Sequence, residues 1–488
     1  QLMLRRGFRL WLSDRLEQGE DITVYNDFIQ AIKDDGVELR FWDDEIILSI
    51  IRSESLDEFV VSYTPQLLED KAFLFNRIVK LLMIVCHPLN EIKGLDTEST
   101  FIDPELENAW MVLLNFLEVN FQTINPETEW LLNIFNNWKE RPLVKIKKVD
   151  ENKTINRLCK MIMVNTPKSQ RITREEAILL DTYIISSSIE SKELETFIHS
   201  AIEYENNRRN RSNNLLGSDH ELVNYYHELV KRLKSGLKSI ELCCLYPKLI
   251  QDYNFNFWIE NEEDSVRDDR YGFGRNSIES EFGLKGETEH KYFPASPYQT
   301  PVYNLLRFQP IETIEAICQL FNKSVEQYVK KKSKYRNDTI ETLKILTPKG
   351  EKNVIASSLL WSAFRGTVQV APYLLQSVLM ALEKYLLELS SRTDDKSKRL
   401  LEKSLETIYD SSNNIAPIAV ISSVSMAHKN PIQLREFILP LFSVKEFFFW
   451  DIQRYTGDFN PLAPMGDSQI IQDERHESNQ LPHRKEYL

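Results

Sequence analysis

The chain has 488 residues, with 60 Lys and Arg against 73 Asp and Glu, for a formal charge of −13 at pH 7. Hydrophobic residues make up 42% and aromatic residues 11%, while Gly, Pro and Cys number only 14, 19 and 5. These values exclude a disordered, fibrous or disulfide-stapled chain, and also a protein that coats nucleic acid with its whole surface, because phosphate neutralisation needs clustered Lys and Arg.

The N-terminal stretch QLMLRRGFRLWLSDRL is not a signal peptide, since Asp14, Arg15 and Glu17 interrupt any apolar core. The chain begins at Gln1 and stops at Leu488 inside LPHRKEYL, which reads as the start of a helix. Both ends are therefore expected to be cuts in a longer polypeptide. The longest apolar run, Leu81 to Cys86, falls far short of the roughly 18 residues that a membrane-spanning helix needs. The cysteines, Cys86, Cys159, Cys243, Cys244 and Cys318, mostly sit in apolar helical patterns. Reduced core thiols and a cytoplasmic location are expected.

Helical periodicity of about 3.6 residues dominates the chain. Asp70 to Cys86 shows it with Leu74, Ile78, Leu81, Leu82 and Val85, and His87-Pro88 closes that helix. Ala109 to Phe121 is apolar almost all round, as a helix buried between neighbours would be. Thr173 and Glu176 spell a capping box for a helix through Ile185. Ile311 to Val329 places Ile314, Ile317, Phe321, Val325 and Tyr328 on one face. Tyr373 to Leu389 does the same with Leu375, Val378, Leu379, Leu382, Leu386 and Leu389. Ala416 to Ala427 is a small-residue helix suited to close packing, and Ser422, Ser423 and Ser425 belong to that packing. Strand signals are poor. Phe59 to Tyr63 and Leu143 to Val149 lack a convincing hairpin turn to a partner run. The expected fold is all-α, an irregular α-solenoid-like array of stacked helix pairs with one long irregular loop, although no fixed sequence repeat is found.

That loop is 253–301, which holds an acidic run, Glu260 to Asp264, and four glycines, Gly272, Gly274, Gly283 and Gly286. Structureless runs of this length are uncommon inside compact domains. The expected division is a helical array over 1–252, a linker or loop over 253–301, and a second array over 302–488.

Catalytic motifs are missing from the sequence. No GxxxxGK[ST] phosphate loop occurs, and Gly272-Phe273-Gly274 lacks a third glycine and a following lysine. No HExxH is present, and the adjacent Cys243-Cys244 cannot chelate as CxxC does. Arg475, His476, His483 and Arg484 read as a polar helix surface. No catalytic, cofactor or metal residue is assigned. Two basic stretches stand out. Lys330 to Arg336 ends a helix, where cations suit the negative end of its dipole, and Arg208, Arg209 and Arg211 are read as a loop. A local nucleic-acid contact by either is the less favoured reading. Tyr298 and Gln299 in the proline-rich FPASPYQTP, and Trp361 and Arg365 in WSAFRG, join the three arginines as candidate partner-surface residues.

At FPASPYQTPVYNLL (293–306), LWSAFRGTVQVAPYLLQSVLMALEKYLLEL (360–389), NNIAPIAVISSVSMAHKNP (413–431) and IQDERHESNQLPHRKEYL (471–488), the chain resembles the helical region of large bacterial P-loop ATP-binding proteins of the STAND or AAA-like type. Several of these are linked to antiphage defence. The resemblance implies a non-catalytic sensor, spacer or self-association region, with ATP and Mg held by motifs upstream of Gln1. Two other readings compete with it. One is an enzyme whose site is lined by Asp268, Asp269, Arg270 and Arg275 of the 253–301 loop, and the other is a stand-alone helical adaptor.

Overall fold

A computed structural model gives the protein's structure over residues 149–165, 172–187, 192–210, 222–260, 277–331, 338–366, 371–428, 431–458 and 468–488, together with Glu118 and Phe135. The expected helices at Asp70–Cys86 and Ala109–Phe121, the runs Phe59–Tyr63 and 143–148, and the stretch 261–276 lie outside the described residues, apart from the single helical position Glu118. The described part is 75% helical, with 16 helices and one two-stranded sheet, so the chain is predominantly α.

The chain divides into two compact units between Leu229 and Val230. In the first, helices α1 (Val149–Asn165) and α2 (Arg174–Ser186) pack together. Leu158, Cys159 and Ile162 are buried on one, and Leu179, Leu180 and Tyr183 on the other. The Thr173–Glu176 capping box forms as the sequence requires, each side chain bonding the other's backbone N–H. Asn156 donates to the Tyr183 carbonyl at 3.3 Å and to Ser187 Oγ at 2.7 Å, which ties α1 to the end of α2. Helix α3 (Lys192–Asn210) buries Leu194, Phe197, Ile198 and Ala201. Its Phe197 ring lies 5.3 Å from that of Tyr226 on α4 (Val223–Leu233), and the unit boundary falls within α4.

The second unit begins with the end of α4, then α5 (Ile240–Leu245) and α6 (Pro247–Trp258). Of the expected linker or loop, the described residues are 253–260, so that its expected start falls inside α6, and 277–301, which is not a bare spacer. This second stretch contains α7 (Ile278–Glu281) and packs inward through Phe282, Leu284, Tyr292, Ala295 and Thr300. Its glycines, prolines and charges make it irregular, but its apolar residues still belong to the core. Helices α8 (Val302–Phe308) and α9 (Pro310–Lys331) follow. Next comes a hairpin that the sequence reading missed: β1 (Glu341–Thr347) pairs antiparallel with β2 (Gly350–Ala356), Leu343 opposite Val354 and Ile345 opposite Lys352. Its tip, Pro348-Lys349, is closed by the Thr347 hydroxyl donating to the Gly350 carbonyl at 2.8 Å. Only Ile345, Val354 and Ala356 are fully buried, so alternation along either strand is faint.

The remaining helices are α10 (Ser358–Ser362), α11 (Tyr373–Ser391), α12 (Asp395–Ser411), α13 (Ile415–Ala427), α14 (Arg435–Phe442), α15 (Lys445–Asp458) and α16 (Gln469–Gln480). Helix α13 is the hub of this unit. Every side chain from Ile415 to Ser425 is buried, and α10, α11, α12 and α14 all pack on it. Its small residues allow that close approach from several sides. Asn414 caps it by accepting from the Ala416 N–H at 3.2 Å, and Asn322 of α9 locks the preceding turn through Ser411 and Asn413.

Helix α8 meets the end of α4 through an obligatory glycine. Asn304 donates to the Gly236 carbonyl at 2.7 Å, and a Cβ placed on Gly236 would lie 2.2 Å from the Tyr298 carbonyl oxygen. That neighbour is backbone and cannot swing aside. We predict that Gly236→Ala destabilises the second unit by about 3 kcal/mol or more, measured by denaturant unfolding. An unchanged midpoint would contradict this packing.

Candidate functional site

In the second unit, charged side chains converge where the end of the chain meets α11 and α13. Helix α11 is apolar nearly all round, yet Glu383 sits in the middle of it with its side chain only 3% exposed. A lone carboxylate cannot be buried there cheaply, because its lost hydration is worth several kcal/mol. The fold supplies partners from three elements. Arg484, in the short 3-10 turn Pro482–Lys485, donates through Nη2 to Glu383 Oε2 at 2.6 Å. The Ser423 hydroxyl of α13 donates to Oε1. Arg365, in the 3-10 turn Ala363–Arg365, adds a second positive field.

Burial alone would raise the Glu383 carboxyl. Arg484, Arg365 and the two hydrogen bonds outweigh it, and hold the group below its usual value. Gly366 ends the Arg365 turn at φ +70, and a Cβ there would meet Met380 Sδ of α11 at 2.5 Å. Glycine takes this left-handed backbone without strain, in the turn that sets Arg365 against α11.

In the same unit, α16 docks on the proline-rich segment before α8. Arg475 donates from Nη2 to the Ala295 carbonyl at 3.0 Å, and the Ser296 hydroxyl donates to Glu474 Oε2 at 3.3 Å. The backbone N–H of Ser296 donates to Ser377 Oγ of α11 at 3.3 Å. Burial raises the Glu474 carboxyl, with Lys384, Ser296 and Arg475 offsetting part of that rise. A second carboxylate, Asp451 of α15, is fully buried and saturated. Its Oδ1 accepts from Trp361 Nε1 at 3.1 Å and Arg454 Nε at 2.7 Å, and its Oδ2 accepts from Arg454 Nη2 at 3.1 Å and the Leu488 N–H at 2.8 Å.

The sequence-selected residues fare unevenly. Trp361 and Arg365 are interior side chains, Trp361 stacked at 4.7 Å on Phe447, and burial puts them out of reach of a partner docking on the surface. Tyr298 and Gln299 are half-buried. Tyr298 lies beneath Lys384, and Gln299 donates to the Pro294 carbonyl at 3.0 Å. Arg208 and Arg209 fall within α3, which runs to Asn210, so they do not begin a loop; Arg211 lies outside the described residues, as do Asp268, Asp269, Arg270 and Arg275. The terminal Arg475, His483 and Arg484 are buried rather than on a helix surface, and Pro482–Lys485 forms a 3-10 turn rather than the start of an α-helix. Sequence reasoning missed Glu383, Asp451 and Arg454. The available signal was Glu383 itself, a charge set in the otherwise apolar face Leu379–Leu382–Leu386.

Among the described residues, no group of three or more His, Cys, Asp or Glu side chains is placed to hold a metal ion. Cys243 and Cys318 are buried, and burial pushes each thiol up to about 12, away from thiolate chemistry. No helix of the described residues is long and apolar enough to cross a membrane. No known protein family matches the chain, and no curated protein matches it.

His483 gives this cluster a pH signature. Burial, followed by the field of Arg484, lowers its imidazole from 6.5 to about 4. Protonation therefore favours the unfolded chain. The stabilisation is complete above pH 6.5 and is lost as pH falls toward 4. We predict that wild type loses on the order of 3 kcal/mol across that window relative to His483→Gln, from urea melts at each pH. Parallel profiles would contradict the burial of a neutral imidazole.

Proposed function

We propose that this chain is a non-catalytic helical sensor and interaction region of a larger cytoplasmic P-loop ATP-binding protein, of the kind linked to antiphage defence. The observation that carries the interaction part is an apolar stripe on two consecutive helices. On α14 and α15, Phe449 is 65% exposed and Leu439 51%, with Phe442 and Ile452 also exposed. Phe442 and Phe448 rings lie 5.6 Å apart, which joins the two helices into one face. Single exposed apolar side chains are ordinary on a protein surface, whereas contiguous ones are characteristic of docking surfaces. The interior polar groups support the non-catalytic part, because Asp451 and Glu383 are engaged in holding elements together. The resemblance of 293–306, 360–389, 413–431 and 471–488 to helical regions of such ATPases supplies the rest of the reading. ATP and Mg would then be bound by other parts of the polypeptide, since no phosphate loop occurs in these 488 residues.

Self-association through α14 and α15 is the occupant this reading favours. Purified chain is expected to associate with rising concentration in sedimentation, and Phe449→Asp with Ile452→Asp is expected to weaken that by about tenfold or more with unchanged far-UV circular dichroism. A monomer at every concentration, or association untouched by the double variant, contradicts the assignment of this face. The ATPase context has its own check. The coding sequence upstream of Gln1 is expected to encode, in frame, a phosphate loop; a frame that opens without one favours a stand-alone adaptor.

A further inference from the structure

Residues 468–488 are held as a docked peptide is held. Ile471 is their one buried apolar side chain, whereas Glu474, Arg475, Ser478, His483 and Arg484 are all buried. The anchors reach groups outside the segment. Arg475 donates to the Ala295 carbonyl, Glu474 accepts from Ser296, and Arg484 donates to Glu383 of α11. The Leu488 N–H donates to Asp451 of α15, and Arg454 of the same helix donates to the Glu486 carbonyl. Undocking therefore uncovers little apolar surface on the segment, and its polar groups can take water in place of these partners. The receptor behaves differently. Without a segment, Glu383 loses Arg484 inside an apolar helix, and a buried charge stripped of its partner is costly.

Such a receptor does not distinguish its own chain's segment from an identical one. A second copy brings the same charges and carbonyls at the same spacing, so these contacts contribute equally in the closed and the exchanged arrangement. What decides between them is connection and chain concentration. Nine residues, 459–467, join the segment to α15. Fully extended, such a length spans about 30 Å at most, enough to pass to a neighbouring copy. We propose that residues 468–488 are exchanged between two copies of this chain, each segment docking against 295–296, α11, α13 and α15 of the other. The partner copy then supplies the arginine that Glu383 requires. Exchange needs the segment to leave its receptor first, so it takes place on refolding or full opening of the second unit and is trapped afterwards. It stands independently of the association proposed above, because it uses none of the exposed side chains of the α14–α15 face.

The test uses the whole chain carrying Phe449→Asp and Ile452→Asp, so that the α14–α15 face makes no contribution. Unfolded in urea and refolded at rising chain concentration, it is expected to yield a growing fraction of dimer that persists on dilution, read by size-exclusion chromatography. In the same background, Arg484→Glu spoils the segment and Glu383→Arg spoils the receptor. Each is expected to lose the dimer when refolded alone. Refolded together they are expected to regain it as a heterodimer, because the intact segment of one meets the intact receptor of the other and the reversed pair forms at the second site. Docking within one chain cannot produce that rescue. Should the charge reversals prevent folding altogether, the parent double variant still decides. Dimers refolded separately from 14N and 15N chain, then mixed, are expected to keep their labels apart in native buffer and to scramble only after unfolding, as native mass spectrometry would show. Monomer at every refolding concentration, or labels that scramble in native buffer, overturns the exchange. Either result leaves concentration-dependent association of the native wild-type chain, and with it the α14–α15 reading, to stand or fall by its own measurement.

Discussion

A carboxylate held ionised inside an apolar helix organises the second unit. Glu383 lies among Leu379, Leu382 and Leu386 on α11, where burial favours its neutral form. It remains charged because Arg484, Arg365 and Ser423 reach it from elements far apart in sequence. Removing one partner from such a pair typically costs about 3–5 kcal/mol, since the other charge is left buried. The same electrostatics that makes the pair expensive to break gives it specificity.

The second buried carboxylate works toward the same end. Asp451 accepts from Trp361, Arg454 and the Leu488 N–H, while Arg454 also donates to the Glu486 carbonyl at 2.8 Å. Two buried carboxyl side chains therefore grip the final residues, Glu383 through Arg484 and Asp451 through the Leu488 N–H. Between them, Glu474 and Arg475 tie α16 to Ser296 and Ala295. The last twenty or so residues are mostly polar and would gain little from hydrophobic burial. Glu474, Arg475 and Arg484 are nonetheless buried, because the core presents charges and polar groups that pair with them.

Periodicity and capping made the helices legible in the sequence. The stripes over Ile311–Val329 and Tyr373–Leu389 mark helices that run over Pro310–Lys331 and Tyr373–Ser391, and Thr173 with Glu176 marks the start of α2. Each of these signals is local, so one sequence suffices to read it. The hairpin escaped because just three of its side chains are fully buried, and because Lys349 and Lys352 find their partners on α12. Lys352 donates to the Tyr409 and Asp410 carbonyls, and Lys349 pairs with Asp410 and Glu406. The charge cluster escaped for the opposite reason. DERHESNQLPHRK has the composition of a solvated helix face, and only partners such as Glu383, a hundred residues away, turn it inward. Trp361 and Arg365 were conspicuous in sequence for a packing reason, the tight Gly366 turn and the stack on Phe447.

With its side chains held by Ser296, Ala295 and Glu383, the final segment belongs to the cooperative core of the second unit rather than hanging from it as an appendage. Native-state hydrogen exchange resolves this residue by residue. Amides of Gln469–Gln480 are predicted to exchange only through the same opening that exposes Tyr373–Ser391, with matching free energies and denaturant dependence. Exchange of that segment by local fraying, at a free energy well below that of Tyr373–Ser391, would contradict the account.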